Sequence, residues 1–136
     1  MSYAGSSGLQ AAIYQQLIGD AALGALVGSD IYDALPTGTA PSLYVSLGPE
    51  TAQDASSKSG PGARHDFVVS VIADASGFQA AKDVAAAISD ALVDAQLTLS
   101  RGSLVGMWFL KAKAARSGND DVRRIDLTFR ARVDGL

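Results

Sequence analysis

The sequence contains no cysteine and only one histidine among its 136 residues. The absence of cysteine excludes disulfide bonds and thiolate chemistry, and it is compatible with folding in a reducing cytoplasm. Structural zinc sites are built from several Cys and His ligands, so a single histidine also excludes a site of that kind. No zinc or thiol-based site is therefore predicted.

Strong net charge and long apolar runs are also lacking. The formal net charge is −3, so composition gives no electrostatic case for a nucleic-acid-binding protein. No apolar run reaches the roughly 18 residues of a transmembrane helix. Residues 1–19 lack the basic start and unbroken apolar centre of a signal peptide. We therefore expect mature sequence that does not span a membrane.

Apolar side chains are abundant, at 48% hydrophobic residues against 18% charged residues. A chain of this composition can bury a core and is not disordered by composition. Its length suits one domain, and the sequence shows no internal repeat. Residues 1–136 are therefore predicted to form a single domain.

The spacing of apolar residues predicts three helices. The first runs to Gly19, a shorter one covers residues 20–28, and the main helix covers residues 77–95. The first and the main helix start at the motif S-x-x-Q, in which each side chain satisfies a backbone N–H of the first turn. These capping boxes are Ser7 with Gln10 and Ser76 with Gln79.

Alternating apolar residues predict strands at residues 43–47 and 64–73, with a short strand at 31–32. Residues 103–114 and 121–133 are predicted to form a terminal hairpin. The strand at 64–73 is apolar on both faces, so we expect it in the centre of the sheet and covered on both sides. This order predicts an α+β fold, in which a mostly antiparallel sheet of four to five strands packs against one long and one or two short helices.

The terminal hairpin has a predicted register. A turn centred on Gly118-Asn119 pairs residue i with residue 237 − i. The buried face then contains Trp108, Leu110 and Ala112 opposite Phe129, Leu127 and Ile125. On the outer face Lys111 meets Asp126, whereas Lys113 meets Arg124, an unfavourable like-charge pair. That mismatch indicates either an acidic partner nearby or a slightly different register.

Residues 53–66, QDASSKSGPGARHD, form a long connection without a large apolar side chain. Hairpins need only about two to five linking residues, and longer unstructured loops in compact domains are usually functional. We expect a flexible arm over about residues 50–64. The alternative is a loop that has no partner.

No motif in the chain predicts catalysis or cofactor binding. His65 is followed by Asp66, but adjacent strand residues point to opposite faces, so His65 is interpreted as a polar strand-entry residue. Residues 102–106 place their serine wrongly for a hydrolase elbow. Residues 60–64 lack the Gly-Lys-Ser/Thr end of a phosphate loop. The acidic residues do not have calcium-loop spacing.

One charge cluster lies on the outer face of the terminal hairpin, and it consists of Lys111, Lys113, Arg124, Arg130 and Arg132. It is either a solvated face that guards the sheet edge against aggregation or a surface that meets an acidic neighbouring subunit. Direct DNA binding ranks last, because no stacking aromatic side chains accompany the charges.

The order of these motifs resembles the tail completion (tail terminator) proteins of long-tailed bacteriophages and gene transfer agents. The resemblance covers about residues 9–134. Its motifs are a short N-terminal helix, Ile31-Tyr32-Asp33, Pro36, Pro41–Val45, GPETAQD at 48–54, ISDAL at 88–92 and Arg130–Val133. Many relatives place a tryptophan near the end of the strand before the main helix, where this chain has Ile72-Ala73.

The resemblance implies a structural virion protein without catalytic residues or cofactors. It implies a homo-hexameric ring on the finished tail tube that stops tube growth and docks to the head–neck complex. The expected partners are further copies of the chain, the major tail tube protein and a connector or stopper protein, and DNA passes through the ring without sequence-specific binding. The implied place is the tail–neck junction of a virion or particle, after assembly in the bacterial host cytoplasm.

Within that implied role, the arm is expected to order against a neighbouring subunit or the tail tube. The candidate subunit or tail-tube contacts are Glu50, Asp54, Lys58, Arg64, Phe109, Lys111, Lys113, Arg124, Arg130 and Arg132. Three alternatives stay open: another neck or head-completion ring protein of the same particle, a small enzyme, and a small nucleic-acid-binding module.

Overall fold

The computed structural model describes residues 3–33, 41–56, 58, 60–74, 78–116 and 122–135. Its elements in chain order are α1 (Ser6–Ile18), α2 (Ala21–Val27), β1 (Ile31–Tyr32), β2 (Leu43–Asp54), β3 (Gly62–Ala73), α3 (Phe78–Leu92), β4 (Ser103–Arg116) and β5 (Arg123–Asp134). The predicted α+β class and single domain are confirmed. The expectation of one long helix was slightly wrong, because two helices have similar lengths. Helix α3 has 15 residues, α1 has 13 and α2 has 7.

The five strands form one sheet in the order β1-β2-β3-β5-β4. Strand β1 is parallel to β2, and the other neighbouring pairs are antiparallel, which confirms the mostly antiparallel sheet. Strand β3 is central, as its apolar sequence predicts. Strand β4 has a neighbour on one side only, so the sheet ends in a long free edge.

The helices pack against one face of the sheet, where alternate strand residues are buried. The rings of Phe67 and Phe129 stack there with centroids 5.7 Å apart. From α3 the core takes Val84, Ile88 and Leu92. The second face, called the open face below, has no helix over it in the described ranges, so the expected cover on both sides of β3 was wrong. Its apolar residues, Val68 and Ile72, are only half-buried.

The helix starts differ from the predicted capping boxes. The N-cap of α1 is Gly5, and it makes no side-chain cap hydrogen bond. Gln10 instead donates to Asp33 Oδ1 at 2.7 Å, because a tertiary partner competes successfully for its amide. Asp20 caps α2 by accepting from the Leu23 N–H at 2.9 Å. Ser76 of the second predicted box lies outside the described residues, and its partner Gln79 donates to Asp83 Oδ1 at 3.1 Å. None of the helices described is long and apolar enough to cross a membrane.

The predicted long arm is largely a paired hairpin, so the expectation of a loop over residues 50–64 was wrong. Strand β2 continues to Asp54 and pairs there with Ala63 of β3, which leaves residues 55–61 as the connection. The intervening polar side chains do not prevent pairing, because the ladder uses only backbone groups. A bulge between Leu47 and Glu50 shifts the register.

The register of the terminal hairpin differs from the prediction at most positions. The 237 − i rule holds at Ser103 and Leu104, but shifts after Leu104 and after Phe109 move the remaining pairs. Lys113 therefore lies opposite Asp126, and the predicted like-charge pair with Arg124 does not occur. The predicted turn centre lies outside the described residues.

These shifts also change which β4 residues are buried. Met107 is fully buried opposite Ala131, whereas Trp108 and Leu110, which the prediction placed in the core, are 45% and 40% exposed. Ala112 is exposed as well. The physical reason is that two bulges change the register of β4 relative to β5. The apolar periodicity of the sequence does not predict these bulges.

Candidate assembly surface

The described residues contain no group of three or more His, Cys, Asp or Glu side chains placed to hold a metal ion. The sequence predicts contact surfaces as the functional candidates. Three parts of the structure bear on them: the open face of the sheet, the free edge at β4, and a partly buried polar cluster around Glu50 that contacts the N-terminal segment.

The open face is organised by an ion pair between adjacent strands. Arg130 of β5 donates to both carboxylate oxygens of Asp66 on β3, at 2.8 and 3.0 Å. Hydrogen bonding by the guanidinium holds the pKa of the Asp66 carboxyl below its usual range, although partial burial opposes the effect. The same hydrogen bond raises the pKa of Arg130. This two-point geometry fixes both side chains in place.

Asp126 and Ser70 organise a second site on the open face. Arg124 Nε donates to Asp126 Oδ1 at 2.9 Å, and the Ser70 hydroxyl donates to the same oxygen at 2.6 Å. The Arg124 side chain also donates to Ser70 Oγ at 3.2 Å. The guanidinium of Arg124 is therefore paired within the chain.

Two further arginines of the open face also have partners within the chain. Arg132 donates to Asp134 at 3.1 Å and to the Ala55 carbonyl at 2.7 Å, while Arg64 donates to Gln53. The arginines of the predicted basic cluster are thus engaged internally. By contrast, no ion pair within the described residues involves Lys111, Lys113 or Arg116. These three cations remain available to a partner.

The free edge carries an exposed apolar group. Trp108, Phe109 and Leu110 are 45%, 44% and 40% exposed, and Val105 is exposed as well. We call Val105, Trp108, Phe109, Leu110, Lys111 and Lys113 the β4 surface. A long edge with unpaired backbone groups and adjoining apolar side chains is a place where a second chain can pair or pack.

Gly106 shapes this surface. A Cβ at that position would come within 2.7 Å of the Trp108 ring, so the indole lies directly across the glycine. The Phe109 ring is edge-on to the buried Phe129, with centroids 5.8 Å apart. Phe109 thus has one edge in the core and one in solvent. Phe109 is exposed, as predicted. It nevertheless lies opposite the buried Phe129 in the strand register.

Glu50, a predicted contact residue, points instead into a polar cluster. Its Oε1 accepts hydrogen bonds from the Tyr3 hydroxyl at 2.6 Å and the Ser6 hydroxyl at 2.8 Å. Its Oε2 lies 3.2 Å from His65 Nδ1, which must carry the proton because a carboxylate only accepts. The cluster ties the N-terminal segment to β2 and β3.

His65 is fully buried, so its interpretation as a polar strand-entry residue was wrong. Its Nε2 has no hydrogen-bond partner among the described residues. The period of two supplied the missed signal, because His65 continues the buried series of Phe67 and Val69 on the core face.

The remaining predicted contacts lie at the end of the β2–β3 hairpin. Asp54 accepts from the Ser56 hydroxyl at 2.6 Å, and this hydrogen bond lowers the pKa of its carboxyl. Lys58 is exposed in the connection. The structure thus brings Arg64 and Arg132 together near the hairpin end, where Arg132 reaches Ala55, and it separates them from Lys111 and Lys113 on the edge strand.

Comparison with known proteins identifies a family and a solved relative. Residues 11–134 match the family model described as Tail completion protein gp17. A chain from the structure titled "Virion of native gene transfer agent (GTA) particle" is 64% identical, with a TM-score of 0.93, and the match covers 98% of this chain and 100% of that one. No curated protein matches. The family resemblance predicted from the sequence is confirmed, and with it a structural role in a virion tail.

Proposed function

The chain belongs to the tail completion protein family, and on that premise we propose that it is a ring-forming tail terminator. The ring ends polymerisation of the tail tube and joins the tail to the head–neck complex. The role is structural, so no catalytic step is assigned to the chain. Its place is the tail–neck junction of the particle, after synthesis in the cytoplasm of a bacterial host.

The solved relative supports this proposal through the extent of the match. That chain comes from a gene transfer agent virion, and the two sequences align over almost their whole lengths at 64% identity. At such identity the two chains share their fold in detail, as the TM-score of 0.93 indicates. A role within a particle of this kind is therefore the natural expectation for this chain.

The main structural support for a ring is the β4 surface. A ring needs a heterologous interface, in which two different patches of each subunit meet and the rotation closes. In the single chain, the β4 surface leaves three neighbouring large apolar side chains exposed beside an unpaired strand edge. A subunit interface would cover both. We propose six copies per ring.

The other partners follow from the position of the ring. One rim contacts the major tail tube protein and the other contacts a connector or stopper protein of the neck. DNA passes through the central channel without sequence-specific contacts. The arginines of the open face support the last point, because Arg124, Arg130 and Arg132 are held by Asp126, Asp66 and Asp134 and are not poised to reach bases.

The end of the β2–β3 hairpin is proposed as a second contact. Residues 55–61 connect two well-paired strands and present the exposed Lys58. The paired strands of the hairpin carry this connection to the end of the sheet. We propose that this end orders against a neighbouring subunit or the tail tube, with Asp54 and Arg64 shaping its base.

Two linked measurements test the function. Light scattering across a concentration series gives the mass of the purified protein, and sedimentation with purified headless tail tubes tests for binding to their ends. We expect a hexamer in solution or, if the tube templates the ring, a hexamer on the tube end. Failure to bind tubes, together with binding to isolated heads, would instead favour a neck or head-completion ring protein.

A further inference from the structure

Charge is unevenly distributed over the fold. Residues 3–33, which contain α1, α2 and β1, carry Asp20, Asp30 and Asp33 and no lysine or arginine. On α3 the exposed Asp83 and Asp90 accompany a single cation, Lys82. The helical layer on one side of the sheet is therefore acidic.

The edge hairpin has the opposite character. Strands β4 and β5 contain two acidic residues, Asp126 and Asp134, against seven basic ones, Lys111, Lys113, Arg116, Arg123, Arg124, Arg130 and Arg132. Because Asp126 and Asp134 are already bonded to arginines of β5, the uncompensated positive charge lies on β4. A chain with two such patches can attract another copy of itself head to tail.

The acidic patch on α3 also has the shape of a contact face. Asp83, Ala86, Asp90 and Val93 recur at i, i+3, i+7 and i+10, so they share one side of the helix and its final turn, and all four are exposed. Asp83 accepts from the neutral Gln79 at 3.1 Å, and no ion pair within the described residues involves either carboxylate. Acidic and small apolar side chains thus alternate along this face.

We propose that the subunit contact of the ring joins the β4 surface of one copy to the exposed face of α3 in the next copy. Lys111 and Lys113 meet the carboxylates of Asp83 and Asp90. Phe109 and Leu110 pack against Ala86 and Val93, the apolar positions of the same face. This assignment rests on the proposed ring function and specifies the two patches that form its interface.

The alternative contact, β4 against β4 across a two-fold axis, is disfavoured by charge. It would bring the lysines of the two copies together, and like charges directly opposite on a sheet are destabilising. It would also be isologous, so it would end at a dimer and leave the acidic face of α3 unused. A heterologous contact uses both patches in every subunit.

Engineered cysteines give the first test, because the chain has none of its own. The double variant Lys113→Cys/Asp90→Cys places one thiol in each patch. Under mild oxidation of the ring, in solution or on tube ends, we expect a ladder of cross-linked species that ends at the ring size. An equal mixture of the two single variants should stop at dimers. A disulfide dimer formed by Lys113→Cys alone would establish the isologous contact and overturn the proposal.

Charge reversal gives the second test. Lys111→Glu/Lys113→Glu and, separately, Asp83→Lys/Asp90→Lys should each weaken subunit association on the order of tenfold, since exposed ion pairs are individually modest and reversal adds repulsion. The quadruple variant should recover association. The control Lys82→Glu/Arg101→Glu changes the net charge of the chain by the same amount as the lysine reversal but lies outside the β4 surface, so it should not weaken association.

The two proposals fail in different ways. If the unmodified protein forms a ring but neither cross-linking nor reversal has the expected effect, the assignment of the patches is wrong and the ring remains. If the unmodified protein forms no ring in solution or on tail tubes, the proposed function itself is wrong. Recovery by the quadruple variant is the result that only a direct contact between the two patches predicts.

Discussion

Arg130 and Asp66 face each other across strands β5 and β3 and are joined by two hydrogen bonds of 2.8 and 3.0 Å. The pair sits on the open face of the sheet, where no helix covers it in the described ranges. It holds the two central strands in register on the side that lacks a packed layer. Its contribution to the fold can be separated from any role in assembly.

The first prediction concerns the pH dependence of this pair. The pKa of Asp66 is lowered in the folded chain, chiefly by the hydrogen bond from Arg130, so the unfolded chain binds the proton more tightly. The stabilisation is therefore fully present above the ordinary carboxyl pKa of about 3.9 and is lost as pH falls through the lowered folded value.

We expect Asp66→Asn to lower the midpoint of urea unfolding slightly at neutral pH, because the pair is partly exposed and solvent screens it. The difference from the unmodified protein should shrink as the pH is taken well below 4. Asp134→Asn, at a similar ion pair within one strand, serves as control. A difference between Asp66→Asn and the unmodified protein that persists unchanged at low pH would contradict this account.

The second prediction concerns the partly buried cluster around Glu50. Glu50→Ala removes the acceptor of the hydrogen bonds from Tyr3, Ser6 and His65. His65 and Ser6 are buried, whereas Tyr3 is 61% exposed and can turn to water. Since buried groups left without partners cost about 1–3 kcal/mol, the free energy of unfolding should fall by about that amount through His65 and Ser6. Thr51→Ala, at the exposed neighbouring position, should leave it nearly unchanged. Equal effects of the two variants on chemical denaturation would show that the cluster contributes no stability.

The third prediction uses Trp108 as a probe, since it is the single tryptophan of the chain. It is 45% exposed in the isolated chain and belongs to the β4 surface. Ring formation should therefore move its fluorescence emission to shorter wavelength as water leaves the indole. Emission that stays constant while light scattering reports assembly would place Trp108 outside the interface.

A fourth prediction follows from the contact between Gly106 and the Trp108 ring. In Gly106→Ala the added Cβ would lie 2.7 Å from the ring, so the indole must rotate away. Because only the far end of one exposed side chain has to move, the free energy of unfolding should change by less than about 1 kcal/mol. Association of subunits should weaken more clearly. A large loss of stability would mean that the ring position is fixed by the fold.

The fifth prediction concerns the end of the β2–β3 hairpin. Residues 56–61 are replaced by Asn-Gly, a favoured two-residue turn, and Ala55 is kept because its carbonyl accepts from Arg132. Pairing of Asp54 with Ala63 predicts that the domain stays folded, as circular dichroism would report. If the hairpin end contacts a neighbour or the tube, ring formation or tube binding should be reduced. Unimpaired assembly would remove this contact from the proposal.

The parts of the fold that follow a simple period were predicted from the sequence. Strand β5 alternates apolar and polar residues, so its buried face was assigned correctly, and the two-sided apolar run of β3 correctly indicated the central position. The predicted ends of α2 are close to the observed ends because Asp20 and Gly28 are strong local boundary signals. In these cases local chemistry and tertiary packing favour the same answer.

The remaining features depend on interactions between distant residues. The bulges in β4 reverse the predicted burial of Trp108, and no local pattern announces them. Gln10, predicted to cap α1, donates instead to Asp33, and the neighbouring Ser6 donates to Glu50. The polar residues between the apolar parts of β2 and β3 extend the pairing of these strands. A ladder is formed by backbone groups, so polar side chains do not prevent it.

The candidate surface was predicted only in part. Lys111 and Lys113 were identified as a basic group and are free of ion pairs in the described residues, but the arginines named with them have partners within the chain. Glu50 was named as a contact, and within the chain its carboxylate accepts hydrogen bonds from Tyr3 and Ser6. Sequence reasoning can count charges on a strand face, yet it cannot tell which charges the chain itself neutralises.

The most direct test of the central claim is the length of tail tubes in particles made with and without this chain. Electron micrographs of a producing strain that lacks the chain should show tubes of irregular, extended length without heads. Supplying the unmodified protein should restore a uniform length and attached heads. Tubes of normal, uniform length in its absence would contradict a tail terminator, whatever the mass of the purified protein.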